Sequence, residues 1–249
     1  MDVQNTHAAL HADSTLPALV HGGRLRWYAS PQRGVQRRLL ERIGGEVALA
    51  TSIVRYAPGS RFAAHGHELG EEFMVLRGVF SDEHGHYPAG TYVRNPPGSA
   101  HRPFSDPGCV IFVKLRQMLP GDQARVVLPP KAQAWLPGAG RWEEALLHAC
   151  GGESVRLLRL APGCTMPARS CPGGEEVFVL DGAVTIAPGP GQQALARWSW
   201  QRCAGEAQPG LASATGALLW IKRGHLPTAR RKTPCTLSAT SPCSSPSTA

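Results

Sequence analysis

HGHELGEEFMVLRG, residues 65–78, decides how the rest of the chain is read. His65 and His67 are two residues apart, so on an extended strand both side chains leave the same face. Glu71 keeps that parity and opens an apolar strand over residues 73–76, while Glu72 should point the other way. Downstream, the turn Pro96-Pro97-Gly98-Ser99 leads into His101. Three imidazoles and one carboxylate are a usual ligand set for zinc, iron(II) or manganese. They leave a divalent ion one net positive charge and room for water or a bidentate ligand. The structural alternative is a buried His/Glu hydrogen-bond network, since an unpaired buried carboxylate is costly.

The wider spacing is more specific. Gly59, five residues, His65-x-His67, three residues, Glu71, six residues and Gly78 are followed by Gly90, five residues, Pro96-x-Gly98, two residues and His101. This resembles both halves of the cupin signature with each ligand position filled. Residues 78–101, GVFSDEHGHYPAGTYVRNPPGSAH, look like the cupin domain of ChrR-type anti-sigma factors. The likeness continues through Phe104-Ser105 and CVIFVKLR, residues 109–116. It implies His65, His67, Glu71 and His101 as ligands of one divalent metal, with zinc as the ion. The small cupin dioxygenases that cleave diketones or hydroxyketones are also similar and imply iron(II) on the same ligands.

At 249 residues the chain can bury a substantial core in one or two domains. Its 28 glycines and 22 prolines, without a long helical apolar period, favour short strands joined by turns. The net charge of +8 raises nucleic acid as a partner. The arginines, however, are scattered along the strands, and the one dense run is Arg230-Arg231-Lys232. A solvated basic surface with a basic tail is the expectation, with no direct nucleic-acid binding. The start lacks an apolar signal core, no stretch reaches membrane-spanning length, and seven cysteines without paired spacing read as reduced thiols. A cytoplasmic protein without a membrane partner is expected.

Beyond residue 120 the chain starts again. Trp135 onward parallels Trp27, GGE at 151–153 parallels 44–46, and LRLAPG at 158–163 parallels VRYAPG at 54–59. GEEVFVLDG at 174–182 parallels 70–78, and LWIK at 219–222 parallels 111–114. A repeat of a little over a hundred residues is a whole domain. The fold class is therefore all-β, two tandem cupin (jelly-roll) barrels. The expected division is a flexible leader over 1–23, a metal-binding barrel over 24–120, a metal-free barrel over 121–226 and a Ser/Thr/Pro tail over 227–249. Within the first barrel, residues 34–42 and 46–56 read as strands and 81–86 as a turn. His84 and His86 in that turn suit exposed loop positions better than a second metal site. In the second copy Arg169, Cys171 and Pro209 stand where histidines would be needed, leaving Glu175, which Arg169 can pair with. No metal is expected there.

The ChrR resemblance implies a regulatory, stress-sensing role, with a small-molecule ligand or oxidant at the metal and a sigma factor as protein partner. The chain departs from that family's pattern in one respect. No cysteine precedes Cys109, so the His-x3-Cys-x2-Cys element of the sigma-binding zinc domain is missing. The dioxygenase resemblance implies carbon–carbon cleavage of a metal-bound diketone or hydroxyketone, with Arg94 steadying an anionic intermediate and Phe73, Tyr92 and Phe104 lining the pocket. The reading allows a homodimer and assigns no catalytic residue.

Overall fold

The computed structural model describes residues 9–45, 47–187 and 194–227. The first eight residues of the expected leader, the basic run at 230–232 and all but the first residue of the expected tail lie outside the described residues. Two antiparallel barrels follow one another, as expected. The main sheet of the first runs Ala9–Leu10, Val35–Ile43, Leu49–Tyr56, Cys109–Leu115, Glu71–Asp82, Tyr92–Asn95, Val126–Leu128. The second repeats that order with Trp135–Pro137, Trp142–Cys150, Glu153–Leu160, Ala217–Arg223, Glu175–Ala187, Ser199–Cys203, Ala18–His21. Among the described residues no helix is long and apolar enough to cross a membrane.

The last strand of each sheet comes from the other half of the chain. Ala18–His21 pairs antiparallel with Ser199–Cys203, and Val126–Leu128 pairs with Tyr92–Asn95. Within the expected leader over 1–23, Ala9–Leu10 also pairs, with Arg42 and Ile43. Each barrel thus takes the last strand of its sheet from across the expected boundary. The physical reason is edge protection, since an unpaired outer strand leaves a row of open backbone donors and acceptors.

Period-two alternation sorts the side chains into three cores. Phe73, Val75, Val93, Ile111 and Val113 fill the first barrel, and Val177, Val179, Leu195, Leu219 and Ile221 fill the second. The opposite faces of the two sheets pack on each other through Leu40, Ile53, Met74, Phe112, Phe178, Trp200 and Trp220. Phe112 stacks on Phe178 at 4.1 Å between ring centroids and meets Trp220 edge-on at 5.0 Å.

This middle layer also carries buried charge. Lys222 of the second half reaches Glu72 of the first at 2.8 Å and Glu153 at 2.9 Å. Reciprocally, Lys114 reaches Glu176 at 2.6 Å. Arg94, fully buried, bonds Glu72 at 3.0 Å, Asp122 at 2.6 Å and Glu153 at 3.2 Å. Arg202 pairs with Glu41, and the Tyr92 hydroxyl donates to Glu72 at 2.9 Å. Burial would raise the Glu72 carboxyl, but Lys222 and Arg94 together pull it down to about 2.

Candidate metal centre

The short strand His65–His67 pairs antiparallel with Ser99–His101, placing His101 directly opposite His65. Between the first histidine pair and Glu71 the chain turns at Gly70, whose φ is +77°. A Cβ there would stand 2.3 Å from the Met118 sulfur, so only glycine fits. Glu71 then enters the barrel, and Glu72 faces the interface between the halves, as parity requires.

One ring nitrogen from each of His65, His67 and His101 lies within 4.8 Å of one from each of the others. His67 Nε2 and His101 Nε2 are 3.0 Å apart, and Glu71 Oε2 is 3.5 Å from the first and 3.6 Å from the second. Asn95 Nδ2 donates to that same carboxylate oxygen at 3.1 Å. The outer contacts fix the tautomers. His65 Nδ1 lies 3.1 Å from the Ala63 carbonyl, and His101 Nδ1 lies 3.2 Å from Asp82 Oδ2. Both partners accept only, so each Nδ1 carries the proton and each Nε2 keeps its lone pair. Burial would lower His101, but the Asp82 hydrogen bond and the Glu71 charge raise it. His67 is lowered, mainly by burial. The donor set and its tautomers suit a divalent cation.

Asp82 was not legible from strand parity. Eleven positions separate it from Glu71 (an odd number), yet both face inward. The pairing of Val110 with Arg77 and of Ile111 with Val75 leaves Leu76 as an extra residue in the strand, and this bulge reverses the alternation beyond it. Asp82 accepts from the Tyr87 hydroxyl at 2.8 Å and the His84 amide at 2.8 Å, as well as from His101. Burial opposes its ionisation, but these bonds hold the carboxyl below its usual range.

A cavity of about 320 Å³ opens beside the histidines, lined by Arg37, Arg42, Tyr56, Ile111, Val113 and Arg116 among others. None of the expected lining residues takes part. Arg94 and Tyr92 lie on the interface face, because Val93 and Asn95 are the inward pair of that strand. Phe73 is enclosed in the barrel core, and Phe104 packs beneath Arg61 with its ring centroid 4.9 Å from the guanidinium carbon. His84 and His86 are exposed, with His86 Nδ1 2.9 Å from the Ser81 hydroxyl.

In the second barrel Arg169 pairs with Glu175, and Arg223 donates to the other oxygen of that carboxylate at 2.8 Å. The residue opposite Arg169, where His101 stands in the first barrel, is Gln208 and not Pro209, so the sequence count was one position long. Gln208 is buried and donates to the Cys203 carbonyl at 3.3 Å.

A family model described as the ChrR cupin-like domain matches the chain twice, at residues 16–119 and 123–227. The chain belongs to this family. Similar solved structures carry the same fold. The protein Ylba from E. coli aligns with a TM-score of 0.67 at 14% identity, covering 89% of this chain and 96% of that one. A candidate dioxygenase from Nostoc punctiforme aligns with a TM-score of 0.63 at 15% identity over 91% of this chain and 84% of that one. The oxalate decarboxylase of Lactobacillus farciminis, solved as a formate complex, gives 0.61 at 10% identity over 85% and 87%. No protein of curated function matches the chain in sequence.

The strand register carries a testable contrast. Glu71→Gln is expected to weaken metal uptake at least tenfold, whereas Glu72→Gln should retain it and lower the melting temperature instead. Metal content by elemental analysis beside a thermal melt checks both; the reverse pattern would place the register one residue off.

Proposed function

We propose that the first barrel holds one divalent metal ion on His65, His67, His101 and Glu71 and presents it to a small-molecule ligand or oxidant. The chain then acts as a regulatory, stress-sensing cytoplasmic protein, and zinc is the ion favoured by the ChrR-type resemblance. The observation that carries the centre is one ring nitrogen from each of His65, His67 and His101 gathered within 4.8 Å, with the Nδ1 atoms of His65 and His101 engaged by Ala63 and Asp82. Bound there, a divalent ion supplies a Lewis acid, and as iron(II) a redox-active one. Asp82 holds the His101 ring in place, Asn95 orients the Glu71 carboxylate, and the apolar wall of Ile111 and Val113 limits water. A sigma factor is the protein partner that the resemblance suggests. The second barrel serves as scaffold.

The cavity beside the cluster favours a second reading, a dioxygenase using iron(II) to cleave a chelating substrate. One series of measurements separates the two. Protein purified without a metal-affinity tag is analysed for metal, then loaded with iron(II) and assayed for oxygen uptake with small dicarbonyl compounds. One zinc per chain and no uptake supports sensing. Oxygen consumption matched by substrate loss supports the enzyme, and a chain that takes up no divalent metal contradicts both.

A further inference from the structure

The cavity beside the histidines has a cationic wall. Val35, Arg37 and Leu39 alternate inward along the strand Val35–Ile43 and pair with Tyr56, Val54 and Ser52. The pairing then slips between Leu39 and Glu41, so that Glu41 meets Thr51 and Arg42 meets Ala50. This bulge turns Glu41 outward to Arg202 and brings Arg42 onto the cavity face with Arg37. One carboxylate that plain alternation would place in the cavity is thereby exchanged for a guanidinium.

Arg37 is half-buried there. Among the described residues no carboxylate pairs with it, and no hydrogen bond holds its guanidinium; its electrostatic neighbours are the Tyr56 ring and Arg42. Desolvation, opposed by Tyr56 and reinforced by Arg42, lowers its affinity for the proton, yet an arginine stays charged in proteins. The Tyr56 ring is held edge-on by Phe62 at 5.2 Å and Phe80 at 5.7 Å, and its hydroxyl has no partner among the described residues. Burial and the Glu71 charge push that phenol far up, so it remains a donor. Arg116, the third cation on the rim, is already paired with Glu68 at 3.0 Å.

The internal repeat supplies a control within the same molecule. Pairing registers place Glu144 opposite Leu158 where the first barrel has Arg37 opposite Val54. Ala149 and Leu160 occupy the places of Arg42 and Tyr56 by the same register. The second barrel also balances its charges internally, Glu144 with Arg156 at 3.4 Å and Glu175 with Arg169 and Arg223. The cationic wall and the histidine cluster occur in the same barrel and are lost in the same barrel. That co-occurrence ties the wall to whatever meets the metal.

We infer that the first cavity takes a small organic anion, a carboxylate bearing a second oxygen donor, whose carboxylate is received by Arg37 and the Tyr56 hydroxyl. The inference rests on the metal centre proposed above and names its ligand class. A neutral diketone would leave the Arg37 charge desolvated and uncompensated, whereas a carboxylate supplies the missing counter-charge and accepts both donors. The volume of about 320 Å³ and the walls of Val54, Ile111 and Val113 suit a ligand of a few carbons.

Zinc-loaded full-length chain is titrated calorimetrically with pyruvate, with its neutral methyl ester and with inorganic phosphate, for the wild type and for Arg37→Gln and Arg37→Lys. The expected result is pyruvate binding at least tenfold tighter than the ester. Arg37→Gln should lose tenfold or more of the pyruvate affinity while keeping its full metal content, and Arg37→Lys should recover part of the loss. Phosphate binding as tightly as pyruvate would overturn the carboxylate assignment. Equal affinity for acid and ester, or no effect of Arg37→Gln in metal-replete protein, overturns the inference and leaves the metal centre standing. Pyruvate binding that persists in metal-free wild type and vanishes in Arg37→Gln supports the cationic wall and counts against the metal centre alone.

Discussion

Alanine at His67 or at His101 is expected to take bound metal from one equivalent per chain to none surviving dialysis, an affinity loss of at least roughly a hundredfold. These two rings carry the nitrogens 3.0 Å apart and flank the same Glu71 oxygen, so neither can be replaced by a neighbour. Asp82→Asn tests the outer contact separately. The amide keeps the shape but removes the charge that fixes the His101 tautomer, so a milder loss of about 10- to 100-fold is expected. His84→Ala, on an exposed turn, should change nothing. Elemental analysis and competition with a chromogenic chelator measure all four. Full metal retention in His67→Ala would return the cluster to a hydrogen-bond network.

The second large effect lies between the barrels. Lys222→Met keeps much of the side-chain volume but removes the ammonium shared by Glu72 and Glu153, leaving both to Arg94, which also holds Asp122. Removing one partner of such a buried group costs about 3–5 kcal/mol. In a chain of this size that lowers the melting temperature by on the order of 10 °C. The exposed pair Arg61–Asp106 is the contrast, and Arg61→Ala should barely shift the melt. The acid limb carries a second signature. The Glu72 carboxyl is held at about 2 in the folded chain against an ordinary 4.5. Its stabilising contribution is fully present above about 4.5 and is lost as pH falls toward 2. Without Lys222 that depression shrinks, so acid unfolding should begin at a higher pH. A melt indistinguishable from wild type at pH 7 and at pH 4 would show the network to be energetically silent.

What could be read from the sequence, and what could not, divides along one physical line. His65, His67, Glu71 and His101 were legible because their spacing between glycine turns matches the cupin signature. The Arg169–Glu175 pair was legible because the repeat carries the same spacing. Asp82, Arg37 and Arg42 were not singled out. Two of these, Asp82 and Arg42, sit beyond a bulge, at Leu76 in one strand and between Leu39 and Glu41 in another. An extra residue there reverses inside and outside without any residue type that marks it. Arg94 shows a related limit. Which face of its strand meets the other barrel depends on packing between halves far apart in the chain. The pairing of Val20 with Trp200 is equally non-local, and nothing in residues 18–21 announces it.

That exchange of outer strands has a consequence for how the two halves can be inherited. A cut near residue 120 would release neither barrel intact. It would take Val126–Leu128 from the Tyr92–Asn95 edge of the first sheet and Ala18–His21 from the Ser199–Cys203 edge of the second. Each half is spliced into the other, like a mortise joint cut from both timbers. The second copy was therefore free to lose its histidines while remaining bound to keep its strands, and a gene fragment encoding either half alone encodes an unfinished sheet.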